Sequence, residues 1–392
     1  MTTIIRGAQV LTMAGQSYHP GLVAFDEEGI ITWVGPDKGI LPPFLTDENV
    51  QIIDGTGKLL LPGFIDAHCH VGIVEEIAPV EGDDLNETSD PITPHLQALD
   101  GVNPSDPAFQ DALSGGVTTV CILPGSANVI GGQAVLMKTG GPLAERVLQN
   151  RGAMKSALGE NPKRVYGKQK KAPITRMASA ALLREALVRA KAYRDKQVHA
   201  AADPAKAPEP DLRWEALRPV LDREIPLRIH AHRADDLLTA LRIGKEFGLQ
   251  MVLEHCTEGH LIAGEVAQAA VPAVVGPSLV NRAKVEMKEI SPATAGALER
   301  AGVLVALMTD HPVIPIQYLP LCGGLAVRFG MGEEAALKAI TINPAQILGI
   351  DDRLGSLEKG KQADMVLWDG HPFDTRSRVE RVWVKGMEFV GK

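Results

Sequence analysis

Leu59-Leu-Leu-Pro-Gly-Phe-Ile-Asp-Ala-His-Cys-His70 is the stretch on which the fold of this chain turns. It reads as an apolar strand ending in two histidines. Side chains alternate across a strand, so His68 and His70 share one face and Cys69 takes the other. Two imidazoles at a strand end make half of a metal site. An isolated His pair is more often buried and satisfied by hydrogen bonds. The weight of the motif therefore depends on what the other strand ends carry.

Working outward, apolar strand-like runs recur at Phe64–His70, Val117–Leu123, Ala134–Met137, Ala153–Leu158, Leu227–His232, Met251–His255, Ala273–Gly276 and Val303–Asp310. Helix-period segments fall between several of them. Met177–Tyr193 places Ala181, Leu182, Ala186, Leu187, Ala190 and Tyr193 near one face, and Asp235–Phe247 stops before Gly248, a helix-ending glycine. Asn343-Pro344 reads as an N-cap followed by proline. Eight strand–helix units predict an α/β fold, a closed (β/α)8 TIM-like barrel over residues 58–357. Residues 1–57 and 358–392 share a texture of short strands and turns, at Thr3–Thr12, Gly21–Phe25, Ile30–Val34, Gln51–Ile53, Asp364–Trp368 and Val379–Val384. The two ends are expected to meet as one small β-sandwich domain. Glu81–Pro107, acidic and rich in proline, is too long for a plain connection and suggests a lid or interface segment. Ala200–Asp211 reads as a solvated surface excursion.

Composition narrows the function classes. The 392 residues are 45% hydrophobic and carry a net charge of −8, with no basic run. Nucleic-acid binding needs clustered Lys and Arg, so an acidic chain argues against it. No apolar stretch approaches the ~20 residues of a membrane span. The start, Met1-Thr-Thr-Ile-Ile-Arg-Gly7, lacks the layout of a signal peptide, and a cytoplasmic protein is expected. Cys69, Cys121, Cys256 and Cys322 lie far apart and read as reduced, buried small hydrophobes.

Barrel active sites sit where strands end at the C-terminal face. The strand ends here supply His68 and His70, then Lys155 with Glu160 beyond it, then His230 and His232, then Glu254-His255, then Thr309-Asp310-His311. Five of the chain's 11 histidines fall at three strand ends, with His311 just past another, which a scatter of surface residues would not produce. Neutral imidazole and carboxylate bind Zn²⁺ or a similar divalent ion. An open coordination position lowers the pKa of a held water toward ~7 and makes a hydroxide nucleophile. A carboxylate there can pass the water's proton to a leaving nitrogen. Asp310 ends a clean apolar strand, Val303-Leu-Val-Ala-Leu-Met-Thr-Asp310, and is the candidate base. Glu254 precedes His255 and by alternation faces away, paired between barrel and helices. Arg164, Tyr166 and Arg282 follow strands on the same face and are candidates to hold a substrate carboxylate, although solvated arginines are common.

Pro62-Gly-Phe-Ile-Asp-Ala-His-Cys-His70 resembles the first-strand signature of the amidohydrolase superfamily. Leu227-Arg-Ile-His-Ala-His232 followed by Leu253-Glu-His-Cys256 resembles its imidazolonepropionase-like and prolidase-like subgroup. Asn343-Pro-Ala-Gln-Ile-Leu-Gly349 and Gly355-Ser-Leu-Glu-Lys-Gly-Lys-Gln-Ala-Asp-Met-Val-Leu-Trp368 are similar to the family's C-terminal passage. The resemblance covers nearly the whole chain. It implies one or two divalent ions, most typically Zn²⁺. His68, His70 and Asp310 would hold one, and His230 and His255 a second. The bridging ligand would be Lys155, carboxylated by CO₂, or Glu160. His232 would touch substrate or brace a ligand. The implied activity is hydrolysis of a C–N bond in a cyclic or linear amide by metal-hydroxide attack, with Asp310 as proton shuttle. A prolidase-like dipeptidase or carboxypeptidase and a deaminase are the alternatives. A non-catalytic barrel scaffold is a further one, against which the complete ligand set argues. A small-molecule substrate and a homo-oligomer are also implied.

Overall fold

The computed structural model describes residues 1–42, 49–77, 80–200, 205 and 207–390. Sixteen strands among these form two sheets. The chain ends contribute β1 (Thr2–Leu11), β2 (Ser17–Phe25), β3 (Ile31–Pro36), β4 (Val50–Asp54) and β5 (Leu59–Pro62), joined later by β14 (Met365–Trp368), β15 (Val379–Val384) and β16 (Met387–Val390). Between them run β6 (Phe64–Cys69), β7 (Val117–Ile122), β8 (Ile130–Lys138), β9 (Val147–Ala157), β10 (Leu227–Ala231), β11 (Met251–His255), β12 (Ala273–Val275) and β13 (Val305–Leu307).

These last eight form one sheet in sequence order, and its two edges meet. His70 N–H donates to the His311 carbonyl (2.9 Å) and Asp310 N–H to the His68 carbonyl (3.2 Å). The expected barrel is present, but it is not eight strand–helix units. β8 runs antiparallel to both β7 and β9. A parallel connection needs a crossover of a dozen residues or more, and the links at 123–129 and 139–146 are too short to make one. The long segment after β6 covers β8 instead of a helix. Thr93 N–H donates to the Ile130 carbonyl (2.9 Å), and Gln97 bridges to Gln133.

Alternation along the strands separates two apolar faces. Phe64, Leu227, Leu253 and Val305 pack outward against helical Leu183, Leu187, Leu237 and Leu298. Ile65, Cys121, Leu136 and Ala153 face inward, where Ala345, Ile350 and Leu354 plug the lower end. The plugging helix, Ile342–Ile347, is not capped as expected: Thr341 precedes it, and Asn343 instead donates to the Val305 carbonyl (2.8 Å). The helix Ala234–Phe247 does end on Gly248 with left-handed φ of 65°, a conformation glycine adopts without Cβ strain. All four cysteines are buried and unpaired. Of the stretch Ala200–Asp211, residues 201–204 and 206 lie outside the described residues.

The terminal strands form a single curled sheet, ordered β16-β15-β14-β5-β1-β2-β3, with β4 beside β1. It folds over until Phe25 of β2 meets Trp383 of β15 edge-on at 6.5 Å, closing a small core with Ile5, Val10, Leu60 and Leu367. β5 belongs to this sheet, so the chain passes into the barrel at Gly63. There the two units are tied by a buried ion pair, Lys138 Nζ to Asp364 Oδ2 (2.5 Å). The other oxygen of Asp364 accepts from Lys385 N–H (2.9 Å).

Removing one partner of a buried ion pair strands the other, at a cost of about 3–5 kcal/mol. Lys138→Met is therefore expected to lower the melting temperature clearly. Lys138→Met/Asp364→Asn, which keeps an acceptor for Lys385, should recover most of the loss. Scanning calorimetry decides; a single variant as stable as the parent would contradict this account.

Candidate metal centre

The barrel mouth is assembled by three departures from regular strand geometry. At β6 the register shifts between Asp66 and Cys69. Asp66, fully buried, accepts from His68 N–H (3.1 Å), Thr309 N–H (3.1 Å) and the Thr309 hydroxyl, and burial pushes its pKa up to about 7. At the end of β11, His255 and Cys256 have φ of 72° and 52°; beyond β13, Asp310 has φ of 55°. Left-handed backbone at non-glycine residues costs about 1–3 kcal/mol each and persists where the surroundings over-determine it. At β11 the consequence is direct. Alternation would set Glu254 and His255 on opposite faces, yet both lie inside: Glu254 touches His68, and the His255 ring lies 5.0 Å from that of His68. Glu254 is thus not paired between barrel and helices.

The histidines are oriented from behind. His70 Nδ1 lies 2.7 Å from the Leu123 carbonyl, His255 Nδ1 3.0 Å from the Gly276 carbonyl, and His232 Nδ1 2.7 Å from the Thr257 hydroxyl. His68 Nδ1 lies 2.7 Å from Glu254 Oε2. In each ring this leaves Nε2 on the side away from that partner, and His70, His232 and His255 line the cavity. Asp310 Oδ1 sits 3.4 Å from His68 Nε2 and 3.3 Å from His70 Nε2. Lys155 Nζ lies 3.2 Å from His68 Nε2. His230, between His232 and His255, is buried with neither ring nitrogen hydrogen-bonded.

Two groups of converging donors result: His68, His70 and Asp310, and His230, His232 and His255. Within each, the candidate ligand atoms lie within 4.8 Å of one another. Burial holds His68, His230 and His255 well below the usual imidazole range and His232 at about 3, so all four are neutral, as ligands must be. Burial also brings Lys155 down to about 8. A buried polar group left unpaired costs about 1–3 kcal/mol. The unpaired nitrogens of His230 therefore fit a site built for a cation, as does the donor set.

A cavity of about 700 Å³ opens above these groups. Asp83, Leu85 and Asn86 of the long acidic loop line it, latched to the β7–β8 connection by Gly125 N–H to the Leu85 carbonyl and Ala127 N–H to Asn86 Oδ1. Lys155 lies with the histidines, whereas Glu160 opens the next helix, gives its N–H to Glu286 and does not line the cavity. Arg164 lines the cavity, and its guanidinium has no partner among the described residues. Tyr166 does not reach it. The helix Glu160–Lys168 turns that ring inward, fully buried, with its hydroxyl donating to Asn128 Oδ1 (2.6 Å). Arg282 is exposed, donates to the Lys288 carbonyl (2.9 Å) and also lies off the cavity wall. The cation from that loop is Lys284, which sequence reasoning missed. It also missed Arg228, fully buried and bound to Glu254. The charged pair at neighbouring strands, Arg228 and Glu254, was the available signal.

Because Tyr166 is structural, Tyr166→Phe should leave KM unchanged and lower stability by about 1–3 kcal/mol, the cost of an unpaired buried acceptor at Asn128. A raised KM with unaltered stability would reinstate it as a substrate contact.

Residues 59–388 match the sequence model of the amidohydrolase family. The amidohydrolase tasK of Hapsidospora irregularis is 32% identical over 391 aligned residues, 92% of this chain, which spans only 39% of that protein's length. The imidazolonepropionase of Pseudomonas putida strain GB-1 is 27% identical, with 94% of this chain and 93% of that protein aligned. An amidohydrolase from Thermotoga maritima MSB8 has a crystal structure that superposes with a TM-score of 0.94 at 45% identity, covering 99% of this chain and 100% of that one. A prolidase solved with N-methylphosphonate-L-proline shares the fold at a TM-score of 0.59 and 18% identity, over 100% of both chains. Among the described residues no helix is long and apolar enough to cross a membrane. With its barrel, its two donor groups and these relatives, the chain is a hydrolase and belongs to the amidohydrolase family.

Proposed function

We propose that this protein hydrolyses a C–N bond of a small cyclic or linear amide at a divalent metal centre. The observation that carries the reading is the pair of donor groups converging beneath one cavity, with Asp310 against both His68 and His70. His68, His70 and Asp310 would hold one ion, for which the nitrogen-rich set suits Zn²⁺, and His230 and His255 a second. His232, in the same donor group, would complete it or meet substrate. When bound, such ions polarise a carbonyl and lower the pKa of a water toward ~7.

The chain's own residues supply the rest. Asp310 stands at the cavity floor and would take the proton from the attacking water and return it to the leaving nitrogen. Leu85, Leu279, Met287 and Val313 form an apolar wall that limits water around the reacting group. Lys155, buried beside His68, would be the fourth-strand ligand; its amine would add to CO₂, losing one proton, and the carbamate would supply negatively charged oxygen donors. Arg164 and Lys284, without ion-pair partners on the cavity wall, favour a substrate that carries a carboxylate. That observation keeps the dipeptidase reading as the second one, since a peptide C-terminus would meet the same cations.

Metal analysis by mass spectrometry tests the ligand set. Lys155→Ala should lower the bound metal per chain, and Glu160→Gln should leave it unchanged; the reverse pattern would move the bridge to Glu160. Activity is tested on metal-replete protein with cyclic amides, dipeptides and amino-heterocycles. Turnover of a carboxylate-bearing amide is expected, falling by about 10²–10⁴-fold in Asp310→Asn, the range for loss of a proton-transfer group. Undiminished turnover in that variant would remove Asp310 from the mechanism, and turnover of amino-heterocycles alone would replace the amide reading with a deaminase.

A further inference from the structure

Beneath the metal-binding histidines the barrel holds an ion pair that the hydrolytic reading does not use. Arg228 of β10 is 1% exposed and Glu254 of β11 is 0% exposed. The guanidinium donates through Nε to Glu254 Oε1, through Nη2 to the Ala67 carbonyl (2.7 Å) and through Nη1 to Cys121 Sγ (3.1 Å). It thereby ties together four strands of the barrel. The second carboxylate oxygen, Oε2, faces His68 Nδ1 at 2.7 Å. A buried ion pair is weak evidence for stability, because desolvation offsets the attraction. Its presence at this point in the barrel asks for another purpose.

We propose that Glu254, clamped by Arg228, fixes the ring tautomer of His68 and so presents the Nε2 lone pair of this ligand to the metal. The inference rests on the metal reading above. A carboxylate paired with arginine only accepts hydrogen bonds, so Nδ1 must carry the ring proton and Nε2 must be bare. That bare nitrogen points at the Lys155 amine (3.2 Å) and the Asp310 carboxylate (3.4 Å). The other oriented histidines lean on neutral acceptors: Leu123 and Gly276 carbonyls and the Thr257 hydroxyl. His68 takes a carboxylate instead, which makes it the more basic donor. Arg228 also grips the carbonyl of Ala67, the residue before His68, so one cation fixes both the backbone and the acceptor of the same ligand. Glu254 and Arg228 are positioning residues; neither lines the cavity.

Glu254→Gln is the informative change. With Arg228 claiming the amide oxygen, the amide nitrogen must face His68 Nδ1, donor against donor. The ring is then relieved only by moving its proton to Nε2, where it blocks coordination. In ¹⁵N-histidine spectra of metal-free protein, the His68 signal (identified by its loss in His68→Asn) should show Nδ1–H in wild type and Nε2–H in Glu254→Gln. Zn²⁺ affinity, measured by competition with a chelating dye, should fall ten- to a hundredfold in the variant. Glu254→Asp, which keeps the carboxylate, should retain Nδ1–H. Nε2–H on His68 in wild-type protein that binds Zn²⁺ overturns the role of Glu254 without needing any variant to fold, and so does unchanged affinity in Glu254→Gln. Wild-type protein that binds no Zn²⁺ overturns the metal reading itself, and this role with it.

Discussion

The closure of the barrel through Asp66 is the contact on which the rest of the site depends. β6 and β13 are the two edges of the central sheet, and β13 is only three residues long. At the mouth the two edges are joined by backbone bonds from His70 to His311 and from Asp310 to His68. Asp66 reinforces that seam, accepting from the backbone of His68 on one edge and from both donors of Thr309 on the other. The same bonds place Asp310 opposite His68 and His70, because Asp310 follows Thr309 and His70 follows His68 by fixed backbone geometry. A single buried carboxylate thus couples the integrity of the fold to the spacing of three candidate ligands. Its burial raises its pKa to about 7, against the pull of three hydrogen bonds toward the ionised form.

The second organising fact is the density of ionisable groups in a space that excludes water. Lys155, Arg228, Glu254, His68, His230 and His255 are all nearly or fully buried. Such a set is stable only when each charge is paired and each imidazole is neutral. Arg228 and Glu254 pair with each other, the imidazoles are neutral by desolvation, and four of the five site histidines have Nδ1 turned to an acceptor. His230 is the exception, and its unpaired nitrogens are what a bound cation would satisfy. The surrounding structure accepts left-handed backbone at His255, Cys256 and Asp310 to bring these groups together.

Much of this is legible in the sequence alone. The strand ends named by their residues, His68, His70, Lys155, His230, His232, His255 and Asp310, do converge. Strand periodicity and the chemistry of histidine and aspartate are local properties, and a barrel converts strand ends into neighbours. The errors have equally local causes. β8 was expected to be parallel, although its connections are too short for a crossover. Glu254 was expected to face outward because strict alternation was assumed through His255, where a positive φ breaks it. Arg164, Tyr166 and Arg282 were chosen for residue type, but a helix face and a loop path left only Arg164 of the three on the cavity wall and brought Lys284 there in place of Arg282.

The amino-acid sequence by itself determined the barrel, a β-rich unit built from the two chain ends, and the chemical kind of site. Those follow from periodicity and from donors placed at successive strand ends. The tertiary structure decided which face each mouth residue presents, which of Lys155 and Glu160 joins the histidines, and that Arg228 and Glu254 stand behind His68. Such choices depend on backbone angles at a few residues and on contacts between strands far apart in the chain. Hydrophobic pattern is blind to both, because a left-handed residue or a buried ion pair changes where a side chain points without changing its polarity.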